Sequence, residues 1–325
     1  ALLFAGYSCT EPKAEAQADL TQYVDPYIGS GGHGHVFVGA NVPWGMVQLG
    51  PTSIPQEWDW TSGYHISDST VIGFSHMHLS GTGIGDLFDI TVMPVTGEVT
   101  YLRGNEKDPQ SGMWSYSDRS KEVVKPGYYA THLLRYGVDV ELTATKRVGF
   151  HKYTFNQPEN AAVVFDLQNG GCWDSPTKAY IAKTGEKTIE GYRYSSGWAN
   201  DQRVFFVAEF SQPIASMDVM VDRGEAVADK GEGRIVYARA NVDAKEPVYV
   251  KVALSPTSIE NAKMNLQSEL PGWDFEGTVA QADQAWEKAL AKIDMESPCD
   301  KTKTIFYTAL YHTMIAPSEF CDVNG

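Results

Sequence analysis

The chain is short of cysteine, short of basic charge, and has no apolar run long enough to cross a bilayer. Its four cysteines are Cys9, Cys172, Cys299 and Cys321. They do not make a disulfide scaffold, and 325 residues are enough to bury a core without one. One bridge, for example between Cys299 and Cys321, stays open at this stage. Lysine and arginine number 26 against 41 aspartates and glutamates, a net charge of -15 with no basic stripe. That excludes a nucleic-acid binder and disfavours an anionic membrane surface. No G-x-S-x-G elbow occurs, which argues against a serine hydrolase. The glycine-rich stretch 29–51 is not followed by Gly-Lys-Ser/Thr, so it is no phosphate loop. There is no internal repeat and no long low-complexity tract.

Aromatic residues, by contrast, are plentiful. The sequence holds 8 tryptophans and 17 tyrosines, and such rings suit both β-structure and the apolar faces of sugars. The first residues, "ALLFAGYSC", read as the end of a secretion signal. "GYSC" has the form of a loose bacterial lipoprotein box, with Cys9 as the lipidated residue and "TEPKAEAQADL" as a polar tether. An ordinary disordered N-terminus is the alternative. The lipoprotein reading places the chain outside the bacterial cytoplasm: secreted, periplasmic or held at the cell surface.

Residues 1–20 are thus a signal remnant and tether, and residues 21–255 read as β. The stretch 130–155 shows period-two alternation, broken at "YG" and at Gly149. "AAVVFDLQ", "RVFFVAEF", "GRIVYARA" and "PVYVKVALS" are further strands, separated by Gly, Asn, Pro and Asp. Many strands without βα alternation predict a mainly β fold, an antiparallel β-sandwich. The character changes at 256. Residues 256–300 read as a helical linker, with a Ser or Thr start ahead of Glu260 and a stripe of Val279, Ala282, Trp286, Leu290 and Ile293. Residues 301–325 read as the start of a helical domain, marked by Ile305, Leu310 and Met314 and stopped by Pro317.

Three loops are candidates for chemistry. "GSGGHGHVFVGANVPWGMVQLGP" carries His33 and His35 among turn glycines, either exposed or lining a ligand. "QEWDWTSGYH" places Trp58 and Trp60 two residues apart. In an extended chain both rings face one side, amid acids and hydroxyls, as a sugar platform would. "GFSHMHLSGTG", read as extended over 73–80, sets Phe74, His76, His78 and Ser80 on one face, with Ser75, Met77 and Leu79 turned to the core. The two imidazoles are then a metal pair, satisfied structural histidines, or polar lining for a ligand. Two ligands do not make a zinc site, and His33, His35, His65 and Asp86 add no decisive spacing. Asp86 and Asp89 offer carboxylates, but nothing selects an acid–base pair.

Taken in order, "DPYIGSGGHGHVFVGANVPWGMVQLGP", "GFSHMHLSGTG", "PGYYATHLLRYGVDVELTATKRVGFHKYTF" and "FYTALYHTMIAPSEFCDVNG" resemble glycoside hydrolase family 92, bacterial exo-acting α-mannosidases. The likeness runs over residues 23–325. It implies an N-terminal β-sandwich packed on a C-terminal (α/α)6 barrel, with the active site between them. It also implies inverting, calcium-dependent hydrolysis of terminal α-mannosides of N-glycans or mannan. In that family the acid, the base and the Ca2+ ligands come mainly from the helical domain, so no catalytic residue or metal ligand is carried onto this chain. Those groups are expected beyond Gly325, and the helical domain itself is the expected partner. The resemblance makes Trp58, Trp60, His76, His78, His33 and His35 the substrate-binding wall. Two other functions stand beside it: a non-catalytic carbohydrate-binding sandwich, and a metallohydrolase built on the two His-x-His pairs.

Overall fold

A computed structural model describes residues 19–108, 110–168, 170 and 173–325. Cys9, the rest of the tether before residue 19, and Cys172 lie outside the described residues. Among the described residues, the architecture is two large antiparallel sheets face to face, followed by three helices. One sheet has eight strands, in the order Ala40–Asn41, Gln48–Thr52, Gly73–Ser75, Thr91–Thr96, Ala161–Asp166, Val236–Val242, Ile214–Val221 and Ala226–Ala228. The other has nine: Lys230–Gly233, Ser175–Lys183, Thr188–Ser196, Gln202–Phe210, Val248–Ser255, Val148–Phe155, Val138–Ala144, Tyr128–Leu133 and Val123–Lys125. The mainly β expectation and the antiparallel pairing hold. The strand candidates that begin at 161, 203, 233 and 247 all contain strands.

Alternation explains the sheets. In Val138–Ala144 the residues Val138, Val140, Leu142 and Ala144 are buried, and in Thr188–Ser196 every second residue is buried. Their inner faces meet in one core that includes Phe74, Tyr129, Phe165, Phe206 and Tyr237. Alternation is lost at Gly149, since Val148 to His151 are all buried, but the strand is not broken. Gly149 lies inside Val148–Phe155, paired with Ala144 and Val252. The chain turns at Thr145–Arg147 instead. Gly149 is required by a close approach: a Cβ there would come 2.6 Å from the ring of His76.

The helices are α1 (Ile259–Glu269), α2 (Phe275–Leu290) and α3 (Asp300–His312). Ser258 caps α1 by accepting from Asn261 N, and Asp274 caps α2 by accepting from Gly277 N. Helix α1 lies on the outer face of the nine-stranded sheet, where Ala262, Leu266 and Leu270 meet Val148, Phe150, Val207 and Ala253. Helices α2 and α3 share a second core with the N-terminal segment: Leu20, Val24, Phe37, Trp286, Leu290, Tyr307, Tyr311 and Met314. Trp286 Nε1 donates to Asn41 O at 2.7 Å, which fastens α2 to the sandwich. The expected stripe of α2 is only partly right, since Ile293 falls beyond the helix and is exposed. In α3 the buried residues are Tyr307, Thr308 and Tyr311, and Ile305 faces out. The helix ends at His312, ahead of Pro317. Cys299 and Cys321 are free thiols.

Candidate functional site

The His-x-His motif at 73–83 is less exposed than its alternation implies. Only Gly73–Ser75 is strand, and it sits inside the eight-stranded sheet. Phe74, His76, Met77 and His78 are all buried, so the outward orientation expected for His76 and His78 is corrected. Backbone bonds from His76 N to Asp89 O and from Gln48 N to His76 O keep the chain between two neighbours past the strand's end. His76 points between the sheets and His78 lies between the rings of Phe37 and Phe88.

Their hydrogen bonds show what they do. Ile90 O can only accept, so His76 Nδ1 donates to it, at 2.6 Å. His76 Nε2 is then an acceptor and faces His151 Nε2 at 2.9 Å, which donates. His151 Nδ1 in turn accepts from the Tyr153 hydroxyl at 2.7 Å. The chain Ile90–His76–His151–Tyr153 is satisfied when both rings are neutral. His78 donates from Nδ1 to Gln48 O at 2.8 Å, and its Nε2 faces the Thr52 hydroxyl at 3.3 Å. Burial lowers the pKa of His76 and of His78 to about 4, and that of His151 well below the ordinary value. These are structural histidines, one of the three readings their sequence allowed. No group of three or more His, Cys, Asp or Glu side chains among the described residues is placed to hold a metal ion. The metallohydrolase reading finds no support here.

His33 and His35 behave differently. The 29–36 loop folds over residues 58–61, and Asp59 sits between the two imidazoles. Asp59 Oδ1 is 2.6 Å from His33 Nδ1 and 3.8 Å from His35 Nε2. His33 is exposed, while His35 is buried, with Nδ1 bonded to the Thr61 hydroxyl at 2.9 Å. His35 Nε2 has no hydrogen-bond partner. Burial lowers the His35 pKa, against the pull of Asp59. The backbone of His35 has φ 52°, a left-handed conformation uncommon for a side-chain-bearing residue. A bond from Gly81 N to His35 O at 2.7 Å holds it against the 80–86 loop.

Trp58 and Trp60 do not share a face. Residues Trp58–Trp60 form a 3-10 turn, not an extended segment, and at three residues per turn two positions apart diverge. Trp58 joins the histidines: its ring meets His35 edge-on at 4.2 Å and His33 at 5.5 Å. Its Nε1 donates to Gly83 O at 2.9 Å, and half of the residue remains exposed. A Cβ at Gly83 would lie 2.4 Å from this indole, so the 80–86 loop approaches closely only because residue 83 has none. Trp60 turns the other way. Its Nε1 donates to Asp68 Oδ2 at 2.7 Å, and its ring stacks on His65 at 4.4 Å.

The loops converge on an exposed indole ringed by an imidazole pair, a carboxylate and backbone carbonyls. That combination suits a neutral polyol: the ring covers C–H groups, and the polar rim meets hydroxyls. Sequence reasoning named His65 only as a candidate without decisive spacing and gave no role to Asp59, Asp68 or Gly83; these roles depend on the 3-10 turn. It also missed the network beneath the site. The carboxylate of Glu122 accepts from the hydroxyls of Tyr27, Tyr64 and Tyr129, at 3.0, 2.8 and 2.9 Å, and is paired with Arg119. Of the carboxylates noted at 86 and 89, Asp89 is held in a buried ion pair, while Asp86 has one oxygen bonded and Oδ1 buried without a partner. Asp89 is buried against Arg193 at 2.7 Å, and Asp86 Oδ2 accepts from Ala199 N. Burial raises the Asp89 pKa, and the Arg193 guanidinium opposes that rise.

Comparison with known proteins gives this arrangement a context. An "Uncharacterized secreted glycosidase" of Arthroderma benhamiae is 25% identical over 363 residues, covering 99% of this chain and 45% of that protein. The family GH92 alpha-mannosidase BT3965 of Bacteroides thetaiotaomicron, solved in complex with mannoimidazole, is 34% identical with a TM-score of 0.90. The match covers 95% of this chain and 41% of that one. The family GH92 inverting mannosidase BT2199 of the same species shares the fold at a TM-score of 0.79 and 23% identity, again over 95% of this chain and 41% of that one. The chain therefore spans less than half the length of these relatives. Residues 261–325 match the glycosyl hydrolase family 92 catalytic domain, and residues 23–255 match the family's N-terminal domain. By that match over most of its length, the chain belongs to glycosyl hydrolase family 92.

Proposed function

We propose that this chain is the sandwich part of a secreted, calcium-dependent, inverting exo-α-mannosidase, acting on terminal α-mannosides of N-glycans or mannan. The observation that carries the reading is the Trp58 loop cluster in a chain that matches a mannoimidazole-bound α-mannosidase along 95% of its length. Trp58 would take the apolar face of a terminal mannose. His33, His35 and Asp59 would meet its hydroxyls, and the neutral state of buried His35 keeps one nitrogen able to accept. Trp60 and the Glu122 network would hold the loops in place. His76 and His78 leave the binding wall and support it from below.

The chemistry would come from outside these residues. Inversion needs an acid and a base far enough apart to admit a water, and no carboxylate pair of this chain is assigned that work. Calcium takes oxygen ligands. With no three candidate side chains converging among the described residues, its ligands would come mainly from the remainder of the helical domain. Secretion is supported by the description of the Arthroderma relative. Attachment through a lipid at Cys9 belongs to the same proposal.

The test is an assay of two proteins on an aryl α-mannoside. The 325-residue chain alone should give no turnover. The chain joined to a complete helical domain should release mannose with inverted configuration and stop when a chelator removes calcium. Turnover by the isolated chain would mean the catalytic groups are misplaced in this account. A non-catalytic sugar-binding sandwich would remain inactive in both forms.

A further inference from the structure

Beside Trp58, the exposed tryptophans among the described residues are Trp173, Trp198 and Trp273, and the first two are tied to the loop that holds Trp58. Trp198 is 72% exposed and Trp173 is 49% exposed. Trp198 lies in the connection between Thr188–Ser196 and Gln202–Phe210. The next residue, Ala199, donates its N–H to Asp86 Oδ2 at 3.0 Å, while Trp173 N donates to Gly85 O at 2.8 Å. Trp58 Nε1 donates to Gly83 O. Gly83 to Asp86 is three Cα steps, no more than about 11 Å. One short segment therefore receives bonds from the Trp58 indole, from the backbone of Trp173 and from the backbone next to Trp198.

The roots of these loops are fixed from inside. Arg193 is fully buried, bonded to Asp89 and to Asp174 and donating from Nε to Leu167 O at 3.0 Å. Asp89 also accepts from Gln202 Nε2. Each tryptophan's loop is thus anchored to the same buried cation, through Asp174 for Trp173 and through Asp89 and Gln202 for Trp198. Loop backbones held this way lose little freedom on binding. Beside Trp198 in the chain, Asn200 and Asp201 are exposed and polar, and Ala199 and Asp201 line a cavity with Arg203, Pro256 and the exposed Phe320. Single indoles with polar chain neighbours, on loops tied to the one that holds Trp58, fit a carbohydrate that continues outward from that ring, since each pyranose face stacks on one indole.

We infer that Trp173 and Trp198 form an outer sugar-binding wall, engaging the units of a manno-oligosaccharide beyond the terminal residue at Trp58. This rests on the mannoside reading of the Trp58 loops and extends it to substrate length: the preferred ligand is an oligosaccharide. In the inferred arrangement the indoles stack on pyranose faces, and Asn200 and Asp201 bond to hydroxyls.

The wall is made by this chain alone, so this chain tests it. Methyl α-mannoside, a linear α-mannotetraose and maltotetraose are titrated into the 325-residue protein, into Trp198→Ala and Trp173→Ala, and into the double variant, followed by NMR of the indole N–H signals. The wild-type chain should bind mannotetraose about tenfold more tightly than methyl α-mannoside. The double variant should lose that advantage, keep its response to methyl α-mannoside, and keep its melting temperature. The inference is overturned if the wild-type chain shows no length advantage, or if the double variant retains it in full. It is also overturned if the variants lose melting temperature and monosaccharide response together, since the rings would then be packing elements. Equal binding of maltotetraose and mannotetraose would count against the mannoside reading while leaving an aromatic wall in place.

Discussion

Lowering the pH should weaken this fold through its buried histidines, by an amount that follows from their surroundings. His76 and His78 have pKa values near 4 in the folded chain against about 6.5 when unfolded. Above pH 6.5 both states are neutral and the full stability is present. As pH falls, the unfolded chain takes up protons that the folded chain refuses, and stability is lost between about pH 6.5 and about pH 4. At pH 5 the loss is about 2 kcal/mol for each of the two rings, so about 4 kcal/mol together. His151 adds to this in the same direction. The cause is visible in the bonds: a proton on His76 Nε2 would set two donors face to face across 2.9 Å. The assay is urea unfolding at pH 7.5 and at pH 5, with the histidine ring signals followed by NMR. The folded chain should hold the His76, His78 and His151 signals unchanged down to about pH 5. A midpoint that does not move between the two pH values, or a His76 signal that titrates near 6.5, would refute the reasoning.

Two further outcomes follow from the same geometry. Tyr153→Phe removes the hydroxyl that bonds His151 Nδ1 and leaves a buried acceptor unpaired, which should cost about 1–3 kcal/mol in urea unfolding. Gly83→Ala places a methyl 2.4 Å from the Trp58 indole. It should push that ring aside and weaken mannoside binding severalfold in a titration, with a smaller effect on melting temperature because the loop is at the surface.

The sequence showed the sheets more clearly than the site. Thr188–Ser196 carries its burial as strict alternation and Val138–Ala144 does so as far as Leu142, so their class is readable without any partner. The same rule failed at His76 and His78. A residue is turned outward by alternation only if that side of the sheet is open, and here Phe37, Phe88 and the facing strand Val148–Phe155 close it. Gly149 looked like a break for a related reason: its missing side chain makes room for His76 and does not end the strand. Trp58 and Trp60 misled because "EWDWTS" carries no periodicity, and a single 3-10 turn sends the two rings apart. In α3 the buried stripe runs through Tyr307 and Tyr311, whose rings pack while their hydroxyls bond to Ile293 O and Asn41 Oδ1. Counting only aliphatic residues put the stripe on Ile305, which faces out. The cluster of His33, His35, Asp59 and Trp58 joins residues that are near in sequence by a fold-back that no local pattern encodes.

The central claim is that the Trp58 loops bind the terminal mannose, and kcat/KM of a Trp58→Ala variant tests it most directly. The measurement uses this chain joined to a complete helical domain, with α-mannoside as substrate. An anchoring ring of this kind is worth about 1–3 kcal/mol, so kcat/KM should fall about tenfold to a hundredfold while the melting temperature stays within about 2 °C. Full activity in the variant, or loss of activity only because the protein unfolds, would contradict the account.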